Sequence, residues 1–158
     1  MIDNRNKNNF NRVKISNGEY FISTDKSLLD VTFIHAYLTQ SYWAEGIPVE
    51  TVQRSIKGAI CFGIYREEDG KQVGFARVIT DETTFAYLGD VFVDENHRGK
   101  GLSKWLMKVI LESDSLQGLR RFMLATRDAH GLYSQFGFSP LTNSDRWMHI
   151  HWPDRYKK

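Results

Sequence analysis

The run from Asp90 to Leu111 constrains the fold more than any other part of the chain. Asp90-Val-Phe-Val93 has the β-branched and aromatic character of a strand. Asp94 to His97 is a polar turn, and Arg98-Gly-Lys-Gly101 is a basic glycine loop. Leu102, Trp105, Leu106, Val109 and Ile110 then recur at i, i+3, i+4, i+7 and i+8, which predicts a helix with one buried face. A helix that starts directly on a glycine loop has unpaired N–H groups at its first turn, and its dipole points at the same place. Phosphate oxygens bind there readily, and Arg98 and Lys100 add positive charge. The run implies an α/β chain that holds a phosphate-bearing ligand at the end of a strand.

The flanking sequence reads as one mixed domain. Tyr20–Thr24 predicts a short strand, and Thr24 or Asp25 a cap for a helix carrying Leu28, Leu29, Val31, Ile34, His35 and Leu38. Pro48 suits the opening of a second helix through about Ile56. Ala59–Tyr65, Val73–Ile79 and Phe85–Val93 predict three strands in an antiparallel meander, with turns at Asp69-Gly70 and Asp81-Glu82. After the Leu102 helix come a strand over Leu119–Ala125, a helix over Gly131–Phe136 stopped by Gly137, and final strands at Phe138 and Trp147–Trp152. The expected order is β-α-α-β-β-β-α-β-α-β-β. Residues 1–11, rich in asparagine, are expected to be a flexible arm, and residues 12–158 a single domain.

Composition excludes several functions. A net charge of +2 gives no chain-wide field to attract nucleic acid or a membrane surface. No apolar run approaches the roughly 18 residues of a membrane span, and no hydrophobic leader opens the sequence, so a cytoplasmic protein is expected. The single cysteine, Cys61, lies in the apolar strand Ala59-Ile-Cys-Phe-Gly-Ile64 and reads as a packed small hydrophobe. His149 and His151 share a strand face, but no third ligand is evident near them, and no metal is expected.

Three kinds of glycine loop compete for the Arg98–Gly101 segment. A nucleoside-triphosphate loop needs an upstream glycine and a Ser or Thr after Gly-Lys; here Gly101 follows Lys100 and the upstream glycine is missing. A dinucleotide loop needs a third glycine where Lys104 stands, and a parallel βαβ setting that the meander does not offer. The third kind fits. Asn96-His-Arg-Gly-Lys-Gly101 resembles the acyl-CoA-binding signature Gln/Arg-x-x-Gly-x-Gly/Ala of the GNAT N-acetyltransferases, with Asn96 departing from its first position. Ala129-His-Gly-Leu-Tyr-Ser-Gln-Phe-Gly-Phe138 resembles the Ala-x-x-x-Tyr-x-x-x-Gly-Phe segment of the same family. The element order agrees across about residues 19–152.

This resemblance implies an α/β fold with a central, mostly antiparallel twisted sheet of six to seven strands and about four helices. It implies acetyl-CoA as co-substrate, held by Val91, Phe92 and Val93 on the strand and by Arg98, Gly99, Lys100, Gly101, Leu102 and Ser103 at the loop. Lys100 is the candidate for the adenosine 3′-phosphate.

The acceptor is expected to be a primary amine on a small molecule or peptide. Its attack on a thioester needs a deprotonated amine, a donor for the developing oxyanion and a proton for the departing thiolate. Tyr133 matches the family's tyrosine beside the cofactor sulfur and is the candidate acid. Asp90, a carboxylate inside a strand, is the candidate base, working directly or through a water; an aspartate that fixes a loop or pairs with a basic neighbour explains it equally well. Glu45 and His35 are lesser candidates. Tyr42, Trp43, Glu45 and Trp147 fall in the segments that wall the acceptor pocket in the family. The resemblance is also compatible with a homodimer, and with a non-catalytic module that binds acetyl-CoA.

Overall fold

The computed structural model describes residues 12–158. The arm expected over residues 1–11 lies outside them. Six strands form one sheet in chain order: β1 (Lys14–Ser16), β2 (Tyr20–Ser23), β3 (Ile60–Arg66), β4 (Gln72–Thr80), β5 (Phe85–Val93) and β6 (Arg121–Leu124). The first five are antiparallel to their neighbours, and β6 runs parallel to β5. The helices are α1 (Val31–Leu38), α2 (Val49–Lys57), α3 (Leu102–Glu112) and α4 (His130–Ser134).

Side-chain alternation along the strands separates the core into two layers. On one face Phe62, Ile64, Val73, Val78 and Leu88 pack with Leu106, Met107 and Ile110 of α3 and with Tyr133 of α4. On the other, Cys61, Phe75 and Phe92 pack with Ile34 and Leu38 of α1 and Val52 and Ile56 of α2. The sheet is covered on both sides, which explains why β3 and β4 read as nearly continuous apolar runs.

Three expectations are corrected. β1 was not foreseen, because its three residues are all exposed and carry no periodic signal; pairing with β2, Lys14 opposite Ser23, is what defines it. The helix expected from Asp25 is split. Asp25 caps a short 3₁₀ turn at Lys26–Leu28, whereas Asp30 accepts from Phe33 N–H at 3.0 Å and starts α1. The final strands are absent among the described residues. Phe138 packs its ring on Phe122 and Tyr133 just past α4, and Trp147–Trp152 joins no strand. A β pattern becomes a strand only where an edge pairs with it, and this segment meets none within the molecule. The observed order is β-β-α-α-β-β-β-α-β-α.

Candidate active site

The site begins with two irregularities in β5. Across from it on β4, one residue separates Phe75 from Arg77, while on β5 two residues separate Phe92 from Gly89. The extra residue is a bulge, and Asp90 in it has φ +54, the left-handed region. The bulge re-aims the Asp90 side chain into a cleft. The second irregularity is on the opposite edge: β5 pairs with β6 only from Phe85–Arg121 to Leu88–Leu124, then continues alone to Val93. Asp94 N–H bonds Val73 O at 2.8 Å on the β4 side. By strand alternation the N–H of Val93, and of Val91 two residues back, turn toward the gap that β6 leaves. Val91, Leu124 and Thr126 line that gap.

The glycine loop closes one end of the cleft. A 3₁₀ turn over Glu95–His97 leads to Gly99 at φ +77 and Gly101 at φ +74. Nothing lies within 4 Å of where a side chain would start at either glycine, so backbone conformation alone requires them. Trp105 N–H to Gly101 O, 3.0 Å, is the first helical bond, and no N–H from Gly99 to Lys104 has an acceptor among the described residues. These donors suit the phosphate oxygens of a coenzyme. Arg98 behaves differently from its neighbours. Its N–H closes the turn on Glu95 O, and its guanidinium braces Val93 O at 3.1 Å and the Tyr37 hydroxyl at 3.2 Å. Lys100 donates to Glu19 and to the Tyr20 hydroxyl, both at 3.1 Å, and Tyr20 is hydrogen-bonded to His97 Nδ1 at 2.8 Å.

The other end holds the candidate catalytic groups. Asp90 accepts from Arg77 Nε at 2.8 Å and from Trp43 Nε1 at 3.0 Å, and the Asp90 and Arg77 side chains are only 10% and 19% exposed. Each carboxylate oxygen retains a lone pair beyond these bonds. Tyr133 sits on α4, whose first turn is closed by bonds to Ala129 O, while Thr126 Oγ1 accepts from Ala129 N–H at 3.0 Å. Its ring is buried and its hydroxyl, at the cleft, has no hydrogen-bond partner among the described residues. Burial, with the nearby Tyr42 and Asp128, raises the phenol above its usual range. It therefore keeps its proton to higher pH than a free tyrosine does.

Tyr42 and Trp43 both line the cleft, their rings edge to face at 5.0 Å. Glu45 and Trp147 lie outside its lining; Trp147 packs instead beneath the Arg121 guanidinium at 4.5 Å. The His35 ring bonds Ile47 O at 2.9 Å, a brace between the two first helices. His149 and His151 stack on each other in solvent.

Several cleft residues escaped sequence reasoning. Arg77 was the most legible of them, a lone cation in the apolar strand Phe75-Ala-Arg-Val78, one strand away from a lone anion. Tyr37 stacks face to face on Phe92 at 3.8 Å and bonds Arg98, which ties the donor loop to the acceptor wall. Arg127 lies 3.9 Å over the Tyr42 ring at the rim. Tyr156, far along the chain, also reaches the lining.

Comparisons with known proteins give the family and the fold. A family model, the acetyltransferase (GNAT) family, matches residues 27–138. A Gibberella zeae protein bearing an acetyltransferase name is 35% identical over 139 residues, which cover 75% of this chain and 77% of that one. A crystal structure of a Xanthomonas campestris protein of the GNAT family superposes with TM-score 0.85 at 51% identity, over 88% of this chain and 97% of that chain. An acetyltransferase of Clostridium acetobutylicum, crystallised with acetyl-CoA, shares the fold at 14% identity, with TM-score 0.59 over 84% and 94% of the two chains.

Proposed function

Because the chain belongs to the GNAT acetyltransferase family, we propose that it moves the acetyl group of acetyl-CoA directly to a primary amine of a small molecule or peptide. The observation that carries this reading is the stretch of β5 past Leu88, open on the side of β6 while still paired with β4, which leaves a gap between the glycine loop and Tyr133. Acetyl-CoA supplies the thioester. The unpaired N–H groups from Gly99 to Lys104 receive its phosphates, and the Val91 and Val93 N–H groups in the gap supply donors where the oxyanion forms.

Asp90, fixed by Arg77 and Trp43, draws the proton off the incoming amine, either directly or through a bridging water. Tyr133 gives its hydroxyl proton to the departing thiolate. The raised phenol suits an acid that must stay protonated until the C–S bond breaks. Tyr42 and Trp43 offer aromatic faces to the acceptor cation.

The test is a screen of amines, polyamines, amino acids and peptides with acetyl-CoA, read as released thiol. Turnover that is lost in Tyr133→Phe supports transfer. Tight coenzyme binding with no turnover on any amine would instead favour a regulatory module that only binds acetyl-CoA.

A further inference from the structure

Arg77 has more to offer than its bond to Asp90. Its Nε donates to Asp90 Oδ2 at 2.8 Å, but its Nη1 and Nη2 groups have no acceptor among the described residues. The side chain is largely buried, yet among the described residues only the Tyr65 hydroxyl is both sealed from solvent and unpartnered. The Arg77 fork therefore reaches open space, and that space is the cleft it lines.

The floor beside the fork is kept clear. Across from Arg77 on β5 stands Gly89, on the same face of the sheet because directly paired residues share a face. A Cβ at Gly89 would touch only the Tyr87 ring, at 3.6 Å, and its φ is not positive, so neither packing nor backbone demands glycine there. Its missing side chain leaves bare backbone next to Arg77 in the cleft.

A cation and an anion thus stand side by side in the wall, each with bonding capacity left over. Asp90 keeps a lone pair on each oxygen beyond its bonds to Arg77 and Trp43. A ligand that answers both carries an ammonium and an anion close together. A carboxylate meets the planar fork with two parallel hydrogen bonds, and in a free α-amino acid it is attached to the carbon that bears the amine. A polyamine offers nothing to the fork. A peptide N-terminus puts an amide there instead.

We infer that the acceptor is a free α-amino acid, whose carboxylate Arg77 holds through Nη1 and Nη2 while Asp90 receives the α-ammonium. This rests on the acetyl-transfer reading above and narrows its acceptor. The half-exposed rings of Tyr42 and Trp43 continue the wall with apolar surface, which suits an aromatic or branched aliphatic side chain. In the transfer the α-nitrogen bonds the acetyl carbon as the C–S bond breaks. Of the two protons the ammonium gives up, one passes to Asp90 and then to solvent, and the other replaces the proton that Tyr133 gives the thiolate. The products are an N-acetyl amino acid, the coenzyme A thiol and a released proton.

The experiment compares phenylalanine, tryptophan and leucine, each against its methyl ester and its decarboxylated amine, with spermidine and a dipeptide alongside. Wild type and acetyl-CoA are used, and released thiol is read. At least one amino acid is expected to exceed both of its analogues in kcat/KM by roughly 10²-fold, the loss expected without a charge-assisted fork contact. Arg77→Lys keeps a charge beside Asp90 but not the fork, so that ratio should shrink to within about tenfold, mainly through KM. Equal or better turnover of an amine, ester or peptide overturns the inference and leaves acetyl transfer standing. A ratio unchanged in Arg77→Lys, the result for a purely structural cation, overturns it as well. If no acceptor turns over, the transfer reading fails, and calorimetry of the amino acids into wild type saturated with coenzyme A decides this inference by itself. Binding of an amino acid but not of its ester upholds it, and binding of none overturns it. The wild-type comparisons decide the matter even if the variant fails to fold.

Discussion

Asp90 is both a geometric and a chemical residue, and substitutions separate the two. Its left-handed φ disfavours most side chains, but asparagine tolerates that region well. Asp90→Asn keeps the backbone and an acceptor for Trp43 but leaves the Arg77 guanidinium, largely buried, without its counter-ion. We expect a loss of stability of about 2 kcal/mol in urea unfolding, below the cost of a fully buried pair because solvent still reaches both groups. Adding Arg77→Met should recover most of it, while activity stays low in both variants. For Tyr133→Phe, kcat should fall by about 10²-fold, the lower end for loss of a positioned general acid, with little change in acceptor KM. Because the folded phenol titrates above its usual range, wild-type kcat should persist at pH values where an ordinary tyrosine has ionised. The Phe variant should lose that alkaline limb, as log kcat against pH will show.

Among the elements, the strand, glycine loop and α3 were legible because three independent rules agree there: β character, glycine at turns, and helical spacing. Gly101→Ala tests the loop. It has room for a methyl group but not the dihedral angle, so strain of about 1–2 kcal/mol falls on the first turn of α3. The KM for acetyl-CoA should rise several-fold while kcat at saturation changes less. What sequence could not supply was register. The bulge at Asp90 and the end of β6 pairing at Leu88 depend on which residues face each other across strands, and no local pattern in Leu88-Gly-Asp-Val91 records that. Asp90 was noticed for its charge, and its Arg77 partner became visible only once β4 and β5 were set side by side. Trp147 shows the converse: an aromatic in the segment expected to wall the pocket packs here under Arg121, at the start of β6, outside the cleft lining.

For the whole molecule, acid stability should depend on the turn between β4 and β5, remote from the cleft. Asp81 accepts from Thr83 N–H, Thr84 N–H, Thr84 Oγ1 and Phe85 N–H between 2.7 and 3.1 Å, and these bonds, those from Thr84 foremost, lower its pKa well below the ordinary carboxylate value. A depressed folded pKa means that its stabilisation is complete above the unfolded value near 3.8 and is lost as pH falls toward the folded one. Asp81→Asn should flatten that part of the acid-unfolding curve and leave the neutral side nearly parallel to wild type; an unchanged acid limb would remove Asp81 from the account. The same global reasoning gives the buried Cys61 a practical meaning. It is the chain's single thiol, it lies within the second core layer, and burial pushes its pKa up to about 11. A disulfide dye added to the folded enzyme will therefore report coenzyme released by turnover, with no background from the protein. Followed for hours without substrate, the same dye counts one slow event per chain, and its rate is a clock for opening of the core.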